Sequence, residues 1–226
     1  MLPLTRTHSA LSTPAPGGVA RVGSFGGKLG RHRVVIETTR LTLVAATLAL
    51  ARSEITDRGE FARLLGASVP DNWPPETLAD ALPVLLGWLE AAPERVGWFV
   101  WYALAAGESS AGPVLLASGG FKGPPRDGTA EIGYSVLPQF QGRGYATELV
   151  GGLVRWALQQ PGVARVVAET EWANAASVRV LTKAGFAPSG SPREPGGTRF
   201  EWVGRAPDAE PGAAADGGDR KAFTHV

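Results

Sequence analysis

Apolar and polar positions follow a regular pattern only in the central part of the chain. Alternation and short apolar runs, which are typical of strands, predict strands over residues 39–44, 98–104, 114–119, 130–137, 164–171 and 198–203. Apolar residues three and four apart, which form one face of a helix, predict helices over 45–65, 77–91, 146–160 and 175–184. Pro83 lies inside the second helix, so we expect a kink or a later start there. This order of elements predicts a mixed α/β domain around one sheet.

The two ends of the chain lack such a pattern. We expect residues 1–33 and 204–226 to be flexible tails, because they contain too little apolar surface to offset the entropy of ordering them. Residues 34–203 then form one domain of ordinary size. No stretch is both apolar and long enough for a secretory signal or a membrane span. We therefore expect a soluble, cytoplasmic protein.

The composition excludes several classes of site. The 226 residues include no Cys, which excludes disulfides, thiolate metal sites and Cys nucleophiles. His8, His32 and His225 lie near the ends, so the central domain has almost no imidazole for catalysis, and we expect no metal. A net charge of +1 argues against a dedicated nucleic-acid binder.

The most specific pattern lies between residues 131 and 148, where a strand runs through Pro138 into a glycine-rich turn and a helix. A helix N-terminus offers unpaired N–H groups and a partial positive charge. Gly142 and Gly144 allow the backbone to approach a ligand closely. The segment therefore predicts an anion site suited to a pyrophosphate, although a plain helix-capping turn is the alternative. The Walker pattern fails because no Lys follows the last glycine, and the dinucleotide fingerprint fails at Thr147.

Three blocks of the sequence, in the right order, resemble the GNAT superfamily of N-acetyltransferases. Residues 141–146 (QGRGYA) resemble the family's motif A, Q/R-x-x-G-x-G/A. Residues 174–186 resemble the N-x-x-S and K-x-G-F segments of its RimJ/RimL-like ribosomal-protein acetyltransferase branch, and residues 38–43 resemble the opening T-x-R-L-x-L strand of that branch. The resemblance implies the GNAT fold: a mixed, mostly antiparallel sheet of six to seven strands, splayed between the fourth and fifth, with about four helices.

The resemblance also implies acetyl-CoA as the cofactor. Backbone groups of the fourth strand would pair with its pantetheine arm and the loop amides would bind its pyrophosphate, at Val136, Leu137, Gln141, Gly142, Arg143, Gly144, Tyr145 and Ala146. Asn174 would contact the cofactor, cap the following helix, or do both. Ser177 would lie near the thioester sulfur, as a proton donor or a hydrogen-bond partner to the leaving thiolate; the alternative is an exposed residue in the first turn of a helix.

Acetyl transfer to an amine needs a group that accepts a proton, because an alkylammonium has a pKa of about 10. Glu131 begins the fourth strand, a frequent position for the base in the family, and strand alternation places Gly133 and Ser135 beside it with room for a substrate. The alternative for Glu131 is a strand-end carboxylate exposed to water. Glu169 and Glu171 on the fifth strand are reserve bases, and Glu169 is the better placed of the two. A backbone N–H near Leu137 would polarise the thioester carbonyl, as the family does.

Acceptor sites in this family are built by the first two helices, here within residues 45–95. Trp73, between prolines, either lines that pocket or plugs the core; residues 119–125 are a second candidate rim. The expected activity is transfer of acetyl from acetyl-CoA to a primary amine, on a peptide N-terminus or a small molecule, by direct attack in a ternary complex. We expect a monomer or homodimer without nucleic-acid or membrane partners. The alternative is a non-catalytic acyl-CoA-binding or sensor module with the same fold.

Overall fold

A single eight-stranded sheet organises the residues that the computed structural model describes, 33–106, 112–190 and 197–204. The two predicted tails lie almost wholly outside this part of the chain, as does the middle of the connector between the predicted strands over 98–104 and 114–119. The strands are β1 Val35–Glu37, β2 Leu41–Ala45, β3 Val100–Ala105, β4 Val114–Phe121, β5 Thr129–Val136, β6 Arg165–Glu171, β7 Phe186–Pro188 and β8 Gly197–Trp202.

The order across the sheet is β1-β2-β3-β4-β5-β6-β8-β7. The β5–β6 pair is parallel, and every other neighbouring pair in the described residues is antiparallel. The predicted mixed, mostly antiparallel sheet is therefore confirmed. The described residues form eight strands instead of six or seven, because β1 and β7 have only three residues each, too few for a visible alternation.

The helices are α1 Leu48–Thr56, α2 Arg58–Leu65, α3 Glu76–Ala79, α4 Leu82–Ala91, α5 Tyr145–Leu158 and α6 Ala175–Lys183. The predicted helix over 45–65 is in fact two helices. Asp57 separates them: its N–H donates to the Ser53 carbonyl at the end of α1, and its side chain accepts from the Glu60 amide at the start of α2. The predicted helix over 77–91 is also divided, and Pro83 lies in the first turn of α4, so the later start is the correct alternative.

Both faces of the sheet are covered, and β3 shows how. Trp101 and Ala103 belong to the core that includes apolar residues of α5 and α6, whereas Tyr102 and Leu104 belong to the core that includes residues of α1, α2 and α4. Alternate residues of a strand point to opposite faces. The near-continuous burial of β3 therefore follows from helices packed on both sides.

The predicted separation of the fourth and fifth strands occurs between β5 and β6. These strands pair only from Thr129 opposite Arg165 to Ile132 opposite Ala168. Beyond that point β5 continues to Val136 and β6 to Glu171, but they no longer pair with each other. We call the wedge between residues 133–136 and 169–171 the gap; its wide end lies where β5 ends and the glycine-rich loop begins.

Candidate active site

The glycine-rich loop presents its backbone to open space at the wide end of the gap. Gly142 and Gly144 have left-handed φ angles of 74° and 81°, which favour glycine. Gly144 is the N-cap residue of α5 and provides no side-chain cap, so no cap side chain covers the first amides of this helix. A Cβ added to Gly142 would meet no atom within 4 Å. Exposed amides, a helix N-terminus and free space above them fit a pyrophosphate.

Gln141 holds this loop to the end of β5. Its side-chain Nε2 donates to the Val136 carbonyl at 2.9 Å. Arg143 is exposed on the loop surface, and Tyr145 and Ala146 form the half-buried first residues of α5. The structure thus brings the predicted cofactor-binding residues 136–146 together around one loop.

A clamp that sequence reasoning missed ties the loop to the region before β2. The Glu148 carboxylate, in the first turn of α5, accepts from the Thr38 hydroxyl at 2.6 Å and from Nε of Arg40 at 2.7 Å. Burial alone would raise the pKa of Glu148, but the Thr38 and Arg40 hydrogen bonds and the Arg40 charge together lower it. Arg40 also donates to the Arg143 carbonyl at 2.9 Å and lies 4.7 Å from the Tyr145 ring centroid. The T-x-R pattern therefore has a structural role at the loop.

A pair of hydroxyl groups links β5 to the first turn of α6. The Tyr134 hydroxyl lies 2.8 Å from Oγ of Ser177 and donates to the Ser177 carbonyl at 3.2 Å. Burial raises the pKa of Tyr134, and the hydrogen bond with Ser177 opposes that rise. Strand alternation does not indicate a contact with a distant helix, so the sequence contains no signal for the pairing of Tyr134 with Ser177. Asn174 is the N-cap of α6, where its side chain accepts from the Ser177 amide at 3.0 Å; its contact with a cofactor stays a prediction.

The amide of Leu137 itself is engaged, because its N–H donates to the Leu116 carbonyl on β4 at 3.0 Å. The expectation that a backbone N–H near Leu137 polarises the thioester carbonyl therefore needs a neighbouring amide of β5, and it stays a prediction. In an antiparallel ladder, alternate residues direct their backbone groups to opposite sides. The neighbouring Val136 therefore directs its N–H and carbonyl away from β4, toward the gap, and its carbonyl there accepts from Gln141.

A cavity of about 360 Å³ lies on the sheet face that α4 covers. Its floor is made mostly of small residues of β4 and β5, and its walls are apolar side chains from α3, α4 and the start of β3. The strand residues are Ser118, Gly119, Gly120, Phe121, Gly133, Tyr134 and Ser135, with Lys122 beside them, and the wall residues are Leu78, Ala81, Leu85, Trp88, Phe99 and Val100. The space predicted beside Gly133 and Ser135 is therefore present, and residues 119–122 of the second candidate rim contribute to it.

Glu131 lies next to this cavity and not at a solvent-exposed strand end. It is 7% exposed, and its Oε1 forms an ion pair with Nζ of Lys122, a residue that lines the cavity. The alternative of a carboxylate exposed to water is therefore excluded. Glu169 is on the same face, two residues beyond the partner of Glu131 on β6, and its Oε1 lies 3.6 Å from Nη1 of Arg199.

Trp73 lies in the core, which agrees with the alternative in which this side chain plugs the core. It is 6% exposed, and its indole Nε1 donates to Oε1 of Glu54 at 2.8 Å. The Tyr102 hydroxyl donates to Oε2 of the same carboxyl at 2.6 Å. Burial raises the pKa of Glu54 to about 7, although both hydrogen bonds act in the opposite direction. The tryptophan that lines the cavity is Trp88.

Two negative findings apply to the described residues. They contain no group of three or more His, Cys, Asp or Glu side chains arranged to hold a metal ion. None of their helices combines the length and the apolar character needed to cross a bilayer.

The geometry agrees with a family match that covers well over half of the chain. Residues 40–187 match the acetyltransferase (GNAT) domain. The chain belongs to the GNAT acetyltransferases. The match begins at Arg40, in the clamp, and extends through the loop, the gap and α6.

Two curated relatives of this GNAT acetyltransferase act, by their names, on nitrogen. It is 33% identical over 114 residues to the FsC-acetyl coenzyme A-N(2)-transacetylase of Aspergillus fumigatus, a match that covers 50% of this chain and 48% of the relative. It is 35% identical over 65 residues to the uncharacterized N-acetyltransferase YoaA of Bacillus subtilis, covering 29% of this chain and 37% of that protein. The chain thus spans about half or less of the length of these relatives.

Solved acetyltransferase structures share the fold of this GNAT acetyltransferase. The apo structure of RimL, a ribosomal L7/L12 α-N-protein acetyltransferase, has a TM-score of 0.52 at 16% identity, covering 80% of this chain and 99% of RimL. An acetyltransferase from Agrobacterium tumefaciens has a TM-score of 0.50 at 18% identity, covering 80% and 100%. At these identities the likeness concerns the fold, and the substrate has to be argued from the site.

Proposed function

We propose that this GNAT acetyltransferase uses acetyl-CoA to acetylate a primary amine by direct attack in a ternary complex. One observation carries the proposal: a single segment of β5 connects the candidate acceptor cavity to the candidate cofactor loop. Gly133 and Ser135 line the cavity, and Val136 holds the side chain of Gln141 in the loop. An acyl donor bound along the gap, with its phosphates on the loop, would therefore end beside the cavity. The names of the two curated relatives, both transferring to nitrogen, support an amine acceptor.

The loop supplies the binding groups for the donor. Backbone amides at residues 141–146 bind the pyrophosphate, and the Arg40 guanidinium neutralises Glu148, which would otherwise repel it. When bound, acetyl-CoA supplies an activated acetyl thioester. The backbone of Val136 faces the gap and is the part of β5 placed to orient the donor.

Two pairs of side chains handle the protons. The ion pair with the Lys122 ammonium holds the carboxylate of Glu131 beside the cavity. Glu131 accepts the proton of the acceptor ammonium, directly or through water. On the other side of the gap, Ser177 donates a proton toward the leaving thiolate, and the Tyr134 hydroxyl, 2.8 Å away, is placed to replace that proton.

Acetyl-CoA titration by calorimetry, followed by thiol-release assays on a panel of amines, tests this proposal. We expect Glu131→Gln to lower kcat about a hundredfold, the scale of general-base catalysis, with acetyl-CoA affinity unchanged. Glu90→Gln is the matched control, because Glu90 is an exposed carboxylate of α4 paired with Arg52. The affinity and the thermal midpoint show whether the Glu131 variant is folded.

Binding of acetyl-CoA without thiol release on any amine would instead favour the non-catalytic acyl-CoA-binding or sensor module. Thiol release that is the same in Glu131→Gln and wild type would remove Glu131 from the mechanism.

A further inference from the structure

The cavity walls give chemical information about the acceptor. Leucine and aromatic side chains from α3, α4 and the start of β3 form the walls, and the strands contribute mainly glycine and serine. Lys122 is the charged residue among the lining positions, and no carboxylate side chain is among them in the part of the chain that the structure describes. The described lining therefore offers no negative charge to additional cationic groups of a ligand, and the nearby Glu131 carboxylate is already paired with Lys122.

The rim of the cavity exposes apolar surface. Trp88 is 39% exposed and its ring lies 5.8 Å from that of Phe99, between centroids. Val84 is four residues earlier on α4 and is 52% exposed; residues at this spacing lie on one helix face. Exposed apolar side chains beside a cavity are typical of a ligand-binding surface.

From this lining we propose that the acceptor is a monoamine with an apolar body, which fills the cavity under α4, and not a polyamine. The inference rests on the proposed function, because it assigns the acceptor to the cavity beside the gap. The amine nitrogen bonds to the thioester carbonyl carbon, the C–S bond breaks, the nitrogen proton goes to Glu131 or water, and the thiolate takes up a proton. A second ammonium in these mostly apolar surroundings would lose hydration without gaining a carboxylate partner.

The volume limits the size of that body. A cavity of about 360 Å³ is at the small end of the range for ligand sites, so it suits an aromatic or branched aliphatic group. Such a group occurs both on a free arylalkylamine and on the first residue of a peptide. The two sources share the chemistry that the cavity recognises, and the assay has to separate them.

The assay measures thiol release from acetyl-CoA with three groups of amines. The first contains phenethylamine, tryptamine and 3-methylbutylamine; the second contains spermidine and diaminobutane; the third contains peptides that begin with Phe or with Ser. We expect kcat/KM to be at least about tenfold higher for apolar monoamines than for polyamines, which is the scale of discrimination by an apolar pocket. If peptides react, we expect the same ratio between peptides that begin with Phe and peptides that begin with Ser. Peptides inactive beside active free amines would identify a small-molecule acceptor.

Two variants alter the cavity in opposite directions. Gly133→Leu fills it: a Cβ at Gly133 would meet no atom within 4 Å, so the backbone need not move. Trp88→Ala removes a wall. We expect each to raise KM for phenethylamine about tenfold, with acetyl-CoA affinity unchanged in Trp88→Ala. Gly87→Leu is the control, since Gly87 is exposed on α4 and a Cβ there also meets nothing within 4 Å.

Saturation-transfer NMR with phenethylamine provides a readout that does not depend on turnover. Phenethylamine binding that is lost in Gly133→Leu and kept in Gly87→Leu supports the inference, whether or not any amine reacts. The absence of any reaction would overturn only the proposed function. Faster turnover of spermidine than of the apolar amines overturns the inference and leaves the acetyltransferase activity intact. The inference is also overturned if phenethylamine does not bind, or if Gly133→Leu leaves its binding unchanged.

Discussion

The buried carboxyl of Glu54 should make the stability of this protein fall as the pH rises from 4.5 to about 7. Its pKa is about 7 in the folded protein, compared with an ordinary value of 4.5. Between these values the folded protein holds a proton that the unfolded chain releases, so raising the pH favours unfolding. The stabilisation that protonated Glu54 contributes is complete below the pKa of this carboxyl in the unfolded chain. It is lost once the pH exceeds the pKa of the carboxyl in the folded protein. This difference in pKa corresponds to about 3 kcal/mol of unfolding free energy.

Glu54→Gln tests this argument because it removes the titration and keeps the shape. The amide oxygen can still accept from the Trp73 indole, and the amide nitrogen can donate to the Tyr102 oxygen. We expect the variant to match wild type at about pH 5 and to be more stable by roughly 2 to 3 kcal/mol at about pH 9. Tyr102→Phe removes a hydrogen bond that lowers the pKa of Glu54, so it should move the loss of stability to higher pH.

Urea unfolding monitored by tryptophan fluorescence across this pH range gives the measurement. The comparison uses the difference between variant and wild type at each pH, since all other titrating groups then cancel. Glu90→Gln, an exposed carboxylate of α4, is the control and should show a difference that is small and flat with pH. A Glu54→Gln difference that is also flat, or that grows toward acid pH, would refute the reasoning.

Two further changes have expected outcomes. Gly97→Ala places a Cβ 2.7 Å from a ring carbon of Trp156 at a φ of 97°, so we expect urea unfolding to show a loss of about 3 kcal/mol in stability. The control, Gly87→Ala on the exposed face of α4, should be neutral or stabilising by up to about 1 kcal/mol. Equal unfolding midpoints for the two variants would contradict the packing argument. Arg40→Ala leaves the charge of the Glu148 carboxylate uncompensated beside the loop, so calorimetry should show acetyl-CoA binding about fivefold weaker at low salt. Adding Glu148→Gln should partly restore the affinity. An unchanged Kd in Arg40→Ala would show that the clamp has no electrostatic role.

The glycine-rich loop could be predicted from the sequence because its determinants are local. Gly142 and Gly144 lie between a strand and a helix that each have a clear period, and a left-handed φ at both positions follows from residue type. The division of the first predicted helix also has a local signal in the sequence. Asp57 followed three residues later by Glu60 is a capping pattern, and it indicates a new helix start at that point.

The parts that could not be predicted depend on contacts between distant residues. Glu148 is held by Thr38 and Arg40, more than a hundred residues earlier in the chain, and no periodicity records such a contact. The same is true of Glu54, whose carboxyl is bonded to groups 19 and 48 residues away. The hydrogen bond that engages the Leu137 amide depends on the register of β5 against β4. A one-residue shift of that register would change which residues of the two strands face each other.

The short β5–β6 ladder has a consequence for hydrogen exchange. Four residue pairs join the part of the sheet that contains β1–β5 to the part that contains β6, β8 and β7, so these two half-sheets can have different opening free energies. A molecule lying along the gap would contact both half-sheets and would stabilise only conformations in which they are aligned. Occupancy of the gap should then slow amide exchange in β7 and β8, at the sheet edge away from the glycine-rich loop. Backbone protection at that edge would report ligand binding at a distance.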